Sequence, residues 1–261
     1  DENNALKLGY DPVKRCWPGW LQSSPVAHHL LPEVLPVGER SGMLRAELGQ
    51  RWQCRQAVAI VAGTTDSNAA TLASGIRQAG EASTALGSTL VLKVLSERPV
   101  YSAEDGIYSH RLGDRWLVGG ASNSGGAVLC QYFSTEELAA LSAAIRPESD
   151  SGLDYYPLPS VGERFPVNDP DMRPRLQPRP AEDARFLHGL LEGIARIEHQ
   201  GYRKLAALGA PYPYRVLSTG GGAANQVWTR IRHRLLGIPV EKATHSEAAY
   251  GSALIAAGLW C

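Results

Sequence analysis

The sequence predicts an α/β fold in which strands come first and helices then alternate with them. Three features carry that expectation. A continuous apolar run at 57–62 leads directly into a glycine turn and an alanine-rich stretch, as a buried strand feeding a helix would. A charge-flanked segment at 182–208 places Phe186, Leu190, Ile194 and Ile197 on one helical stripe. Towards the C-terminus, an apolar stretch at 214–218 passes through three glycines into a helical pattern at 225–236.

Residues 1–50 are punctuated by proline and glycine around short apolar patches such as Trp17-Pro18-Gly19-Trp20-Leu21, and predict loops and short helices. The strand at 57–62, expected to be buried on both faces, ends at Gly63-Thr64-Thr65-Asp66. A helix is expected from Ser67 to a glycine cap at Gly80. Strand-like stretches follow at 83–96, 107–112 and 115–119, the last two joined by the hairpin signal Gly113-Asp114. After a glycine cluster at 119–126, a helix is expected over 127–132, and Ser134 with Glu137 forms a capping box for the next. Prolines at 157, 159, 166, 170, 174, 178 and 180 make 150–180 a long loop of the functional or covering kind. Helix 182–208, strand 214–218, helix 225–236, a short strand near Val240 and a final helix from Glu247 complete the order. No internal repeat is evident.

A chain of 261 residues can form one large domain, or one domain with a fragment of another. Hydrophobic residues make up 44% and charged residues 20%, as in ordinary globular proteins. Lys+Arg and Asp+Glu balance at 26 each, which argues against nucleic acid held by bulk charge. Cys16, Cys54, Cys130 and Cys261 are scattered without a C-x-x-C pair, which argues against a disulfide scaffold or zinc site and for a reducing cytoplasm. No apolar run reaches the ~18 residues of a membrane span. The N-terminus lacks the features of a signal peptide and does not begin with Met, as though cut from a longer chain.

Asp66 admits two readings. A carboxylate just beyond a strand, beside a helix N-terminus, sits where α/β sheets bind ligands and can take a proton from a hydroxyl attacking a phosphoryl group. Equally, it is a helix cap favoured by the macrodipole. Ser218-Thr219-Gly220-Gly221-Gly222-Ala223-Ala224-Asn225 links a strand to a helix whose N–H groups could meet an anion or a nucleobase edge, with the Asn225 amide beside them; a tight turn with no ligand is the alternative. It is neither a P-loop nor a Rossmann fingerprint. Gly119-Gly120-Ala121-Ser122-Asn123-Ser124-Gly125-Gly126 and Leu86-Gly87-Ser88-Thr89 are weaker alone, yet together these junctions suggest one nucleotide cleft. Histidines 28, 29, 110, 188, 199, 233 and 245 show no metal-ligand spacing and are expected in structural or surface roles. No G-x-S-x-G elbow supports hydrolase chemistry. The basic stretch Arg230-Ile231-Arg232-His233-Arg234 predicts a solvated helix face.

Taken in order, the motifs resemble the FGGY carbohydrate kinases, whose fold is of the actin-like, ribonuclease H-like ATPase class. Asn3-Asn4-Ala5-Leu6-Lys7-Leu8-Gly9-Tyr10-Asp11 is similar to the end of that family's first domain, and Leu31-Pro32-Glu33-Val34-Leu35-Pro36-Val37-Gly38 to the stretch before its interdomain crossing. Ala62-Gly63-Thr64-Thr65-Asp66-Ser67-Asn68-Ala69-Ala70 resembles the segment bearing the catalytic aspartate. Gly162-Glu163-Arg164-Phe165-Pro166 resembles a Gly-Glu-Arg-Thr-Pro loop with Phe for Thr. Gly220-Gly221-Gly222-Ala223 and Glu247-Ala248-Ala249-Tyr250-Gly251-Ser252-Ala253 resemble the two C-terminal signatures. The resemblance implies a remnant of the first domain at 1–54 and the C-terminal nucleotide-binding domain at 55–261. It implies Asp66 as general base with Ser67 beside it near the sugar, Gly87 and Ser88 near the phosphates, and Gly120, Gly126, Gly221 and Asn225 around the adenine nucleotide. ATP and Mg2+ are the implied cofactors, with the metal's ligands unassigned, and a small-molecule sugar is the other partner. The pattern is most similar to xylulokinase-like and ribulokinase-like members acting on D-ribulose, D-xylulose or a related pentulose.

The sequence departs from the family in lacking the Asp-x-Gly-Thr phosphate loop and most of the first domain. The expectation is therefore a fragment inactive alone whose parent is a kinase, because positioning and charge neutralisation between two domains drive this chemistry. Apolar surface left by the absent domain is expected to favour association, a homodimer included, or poor solubility. The expected location is cytoplasmic, or the plastid stroma for a photosynthetic source. A non-catalytic nucleotide-binding or interaction module, and an actin-like ATPase that uses hydrolysis as a switch, are the other readings. The need for Asp66 separates them from a sugar kinase.

Overall fold

Among the residues this computed structural model describes, 1–25 and 28–260, the helices are α1 (Glu2–Ala5), α2 (Gly19–Gln22), α3 (Ala46–Arg51), α4 (Asp66–Ala73), α5 (Gly126–Leu129), α6 (Thr135–Ala143), α7 (Asp183–Ala207), α8 (Gln226–Leu236) and α9 (Ala248–Ala256). The strands are β1 (Arg40–Met43), β2 (Ala59–Val61), β3 (Glu81–Leu86), β4 (Leu90–Ser96), β5 (Tyr108–Leu112), β6 (Arg115–Ser122), β7 (Arg215–Thr219) and β8 (Val240–Lys242). Six strands form one mixed sheet in the order β5-β6-β4-β3-β7-β8. Strands β3 to β6 pair antiparallel, while β7 joins β3 and β8 joins β7 in parallel. The parallel pair β7–β8 is connected through α8, as parallel neighbours require a crossover.

Alternation along β4 divides the core in two. Leu90, Leu92 and Val94 share a buried cluster with Phe186, Leu190, Ile194 and Ile197 of α7 and with Trp228 and Ile231 of α8. Leu95 belongs to a second cluster with Leu117, Leu217, Leu72, Ile76 and Ile255, beneath α4 and α9. The stripe predicted over 182–208 is thus the face of α7 that covers the sheet. The capping box at Ser134 and Glu137 is present, and the Gly113 hairpin turn has φ 61°.

The apolar run 57–62 is not a strand of the main sheet. Only Ala59–Val61 is extended, in a two-stranded antiparallel ribbon with β1, where Val58 and Ile60 are 43% and 46% exposed. Its inner end, Val61, reaches the second cluster, and the rest of the run projects beyond it. The helix expected from Ser67 to Gly80 stops at Ala73, where Gly75 at φ 99° follows the Ser74 cap and breaks the helical path. The stretch 83–96 folds into a hairpin, β3–β4, whose turn is Gly87-Ser88-Thr89. Loop 150–180 crosses the sheet as a packed strap, burying Leu153, Tyr155, Tyr156, Leu158 and Phe165.

The basic stretch 230–234 is not a solvated face. Arg232 is completely buried and forms a bidentate pair with Glu198 of α7, at 2.6 Å on both oxygens. Arg232 also donates to Ser218 Oγ, and Glu198 accepts from Thr84, whose hydroxyl bonds Tyr202. Arg234 reaches the buried Glu192, and Arg230 pairs with Glu148 at the surface. Sequence periodicity could not place Arg232 inward, because its partner lies 34 residues away.

The described cysteines, Cys16, Cys54 and Cys130, are free and exposed, whereas Cys261 lies outside the described residues. No described helix is long and apolar enough to cross a membrane.

Because the Arg232–Glu198 pair is fully buried, removing one partner strands a charge in the core. Arg232→Met is expected to lower unfolding free energy by about 3–5 kcal/mol in urea denaturation. The double variant Arg232→Met/Glu198→Leu should recover most of that loss.

Candidate active site

The Asp66 turn is fixed from three sides. Asn3 of α1 donates from Nδ2 to Thr64 Oγ1 at 2.9 Å and to the Arg111 carbonyl of β5 at 3.0 Å. Asn68 also donates to Thr64 Oγ1. On the outer side α9 lies against α4 backbone to backbone: a Cβ built on Gly251 would stand 1.9 Å from the Ala69 carbonyl oxygen.

The cap of α4 is Thr65, whose hydroxyl accepts from the Asn68 N–H. Asp66 therefore occupies the first helical position rather than the capping one. Its side chain is exposed, with Oδ1 accepting from the Ser67 N–H at 2.6 Å. The macrodipole still favours its negative charge.

Beneath this turn lies Lys93 of β4, which the sequence did not single out. Its Nζ donates to Ser67 Oγ at 2.9 Å and to Asn68 Oδ1. Gly119 faces Lys93 across the β4–β6 ladder, and a Cβ there would come within 3.1 Å of the Lys93 Cγ. Burial pulls the Lys93 ammonium from its ordinary 10.5 down to about 7, opposed by the Asp66 charge and assisted by Lys7. Burial, with the Lys93 and Lys7 charges, likewise lowers His110 of β5 to about 3, so its imidazole is neutral at pH 7. Lys7, Thr65, Asp66, Ser67, Lys93 and His110 line a cavity of about 170 Å³. His110, expected in a structural or surface role, is thus part of this wall.

A second cavity of about 1040 Å³ lies among the end of β3, α5, α6, the glycine turn after β7 and the start of α8. This stands at the top of the ~300–1,000 Å³ usual for small-molecule sites. Gly87, Ser88, Gly126, Gly221 and Asn225 all line it. The β3–β4 turn is docked on α5, since Gly126 N–H donates to the Gly87 carbonyl at 2.8 Å and Ala127 N–H to that of Ser88 at 3.1 Å. A Cβ at Gly126 would meet the same Gly87 oxygen at 2.9 Å, so the approach needs glycine. Gly220 turns at φ 77° past the Leu86 carbonyl and carries the chain onto the exposed Gly221. Asn225 caps α8, its Oδ1 accepting from Trp228 N–H while Nδ2 donates to Ser142 Oγ of α6. Its amide thus shapes the cavity wall by joining two helices.

Gly120 does not join this group. It is part of β6 rather than of a loop, borders the smaller cavity, and lies under the Phe165 ring, 2.6 Å from a built Cβ. Glu163 explains that contact. This buried carboxylate accepts from Ser122 Oγ, Asn123 N–H and Tyr156 Oη at 2.5, 2.8 and 3.1 Å, tying the strap to the end of β6. Burial, and then the Glu163 charge, raise the Tyr156 phenol and keep it protonated.

The arrangement can perform two tasks. An open carboxylate above a buried ammonium can take a proton from a hydroxyl brought within reach. A glycine-lined cavity can admit a flat base and phosphates close to the backbone. Among the described residues, no group of three His, Cys, Asp or Glu could hold a metal ion.

A mixed sheet covered by helices on both faces, with a cavity at each side of the β3–β4 hairpin, is the architecture of a domain with the actin-like, ribonuclease H-like fold. The chain belongs to the FGGY family of carbohydrate kinases, whose C-terminal domain model matches residues 82–260. It is 28% identical to the xylulose kinase of Escherichia coli (strain K12), over 98% of this chain and 54% of that protein. With the gluconokinase of Bacillus subtilis (strain 168) it shares 25% identity, over 66% of this chain and 37% of that protein. The chain thus spans about half the length of the curated relatives it matches. Two solved structures superpose with a TM-score of 0.84: Plasmodium falciparum glycerol kinase with ADP, at 19% identity, and ligand-bound xylulose kinase from Lactobacillus acidophilus, at 15%. Each covers 99% of this chain and about half of its own, 54% and 55% respectively, and supports the fold.

The α4–α9 contact leaves no room for a side chain. Gly251→Ala is expected to destabilise the domain by about 1–3 kcal/mol, with Gly251→Val worse, measured by thermal or denaturant unfolding.

Proposed function

We propose that this chain supplies the nucleotide-binding, base-bearing half of an ATP-dependent sugar kinase. The reaction is phosphoryl transfer from MgATP to a hydroxyl of a ketopentose such as D-ribulose or D-xylulose. One observation carries the proposal: an uncommitted face of the Asp66 carboxylate opens on a small cavity that Lys7, Ser67, Lys93 and His110 also line against β4, while the turn of the same β3–β4 hairpin borders the large glycine-lined cavity. One hairpin thereby serves an acceptor site and a nucleotide site. The names of the relatives, xylulose kinase and gluconokinase, support a sugar as the acceptor.

In this mechanism Asp66 takes the proton of the attacking hydroxyl as its oxygen bonds to the γ-phosphorus and the bond to the ADP oxygen breaks. Ser67, beside it, contacts the sugar. Gly87 and Ser88 present the turn to the phosphates, and Gly126, Gly221 and Asn225 form the walls around the adenosine. Gly120, bordering the small cavity, belongs to the sugar side. Magnesium arrives with the nucleotide as part of the substrate, its charge neutralising the phosphates. The rest of the clamp corresponds to the half of the relatives that this chain does not match. In-line transfer needs both halves to exclude water and align the reactants, so these 261 residues alone are inactive in this proposal.

The test is Asp66→Asn in the complete kinase. Turnover with a ketopentose should fall ~10²–10⁴-fold, with the dissociation constant for ATP little changed. Near-normal turnover would refute the role, and ATP-dependent phosphorylation of D-ribulose by the isolated chain would refute the need for a second half.

A further inference from the structure

Lys93 stands in Leu90-Val91-Leu92-Lys93-Val94-Leu95, a strand otherwise apolar and largely buried. Burying an ammonium is unfavourable unless it is paired or hydrogen-bonded. Its hydrogen bonds all go to one place: Ser67 Oγ and Asn68 Oδ1, the two residues that follow Asp66 in the first turn of α4. Asn68 in turn donates to Thr64, so the ammonium braces the whole turn from Thr64 to Asn68. The other charged or titratable groups on this cavity are Asp66 from α4, Lys7 from the segment after α1, and Tyr108 and His110 from β5.

We propose that Lys93 is a positioning residue for Asp66, its ammonium holding Ser67 and Asn68 so that the carboxylate meets the acceptor hydroxyl at a fixed angle. This rests on Asp66 acting as the base. Two consequences separate it from a merely structural role. The folded-state value of about 7 lies below the ordinary 10.5, so between these limits the unfolded chain binds more protons than the native one. The burial penalty is thus fully present below about pH 7 and fades as pH rises towards 10.5. Replacing Lys93 by an apolar residue removes that penalty, and stability and activity should move in opposite directions. Loss of the Lys93 proton should also contribute an alkaline limb to kcat, which an arginine, always charged, would move upward.

The experiment compares Lys93→Met, Lys93→Arg and Asp66→Asn in the complete kinase. Lys93→Met should lower kcat by ~10²-fold, the scale of a misplacement near 1 Å, leave the KM for ATP unchanged, and melt at pH 6 no lower than wild type. Lys93→Arg should keep most of kcat and shift the alkaline limb upward. Full kcat in Lys93→Met, a loss of kcat accompanied by a lower melting temperature, or an unmoved limb in Lys93→Arg overturns the proposal. If Asp66→Asn also keeps its turnover, the general-base assignment falls and this inference with it. If Asp66→Asn is impaired while Lys93→Met is not, only the role of Lys93 falls.

Discussion

Burying both faces of one six-stranded sheet, while keeping open the ground beside its strand ends, constrains everything else in this molecule. On one face Leu90, Leu92 and Val94 are covered by α7 and α8; on the other, Leu95, Leu117 and Leu217 lie under α4 and α9. Each face also buries a charge, and each charge is handled differently. Arg232 is neutralised by the bidentate Glu198 pair, which bolts α7 and α8 to β3 and β7. Lys93 has no carboxylate in contact, only oxygens of the α4 turn, and its affinity for a proton falls accordingly.

That contrast links packing to function. A saturated pair makes a rigid wall, and α8, with Trp228 held on the Leu191 carbonyl, forms one side of the large cavity. An ammonium held by Ser67 Oγ and Asn68 Oδ1, and not by a carboxylate, leaves the neighbouring Asp66 side chain available. The glycines act at the closest approaches: Gly251 lets α9 touch α4, Gly119 clears space for the Lys93 stem, and Gly126 lets the hairpin turn seat on α5. Each sets a distance that a methyl group would change.

Local chemistry made much of this legible in the sequence. The 3.6-residue stripe of α7, the capping box at Ser134, the Gly113 turn and the order of strand, glycine and helix in the C-terminal part are nearest-neighbour effects, and they appear where the pattern puts them. Gly126, Gly221 and Asn225 of the large cavity were legible too, because glycines between a strand and a helix mark close backbone approach. What stayed hidden depends on distant partners. The run at 57–62 is apolar enough for a core strand, but its neighbour is the short β1, which leaves Ile60 outside. Arg232 reads as solvated until Glu198 is brought to it, and Gly120 reads as a loop until β6 extends to Ser122. Lys93 did leave a trace, a lone lysine in an apolar strand, whose meaning depends on where α4 lies.

In the proposed reaction, Asp66 and the glycine-lined cavity serve one transfer of a phosphoryl group. A crystal structure of the complete kinase with a non-hydrolysable ATP analogue and a ketopentose tests it most directly. The expected complex holds adenosine between Gly126, Gly221 and Asn225, phosphates at Gly87 and Ser88, and an acceptor hydroxyl ~2.6–3.2 Å from the Asp66 carboxylate. A nucleotide bound outside that cavity, or an acceptor hydroxyl turned away from Asp66, would contradict it.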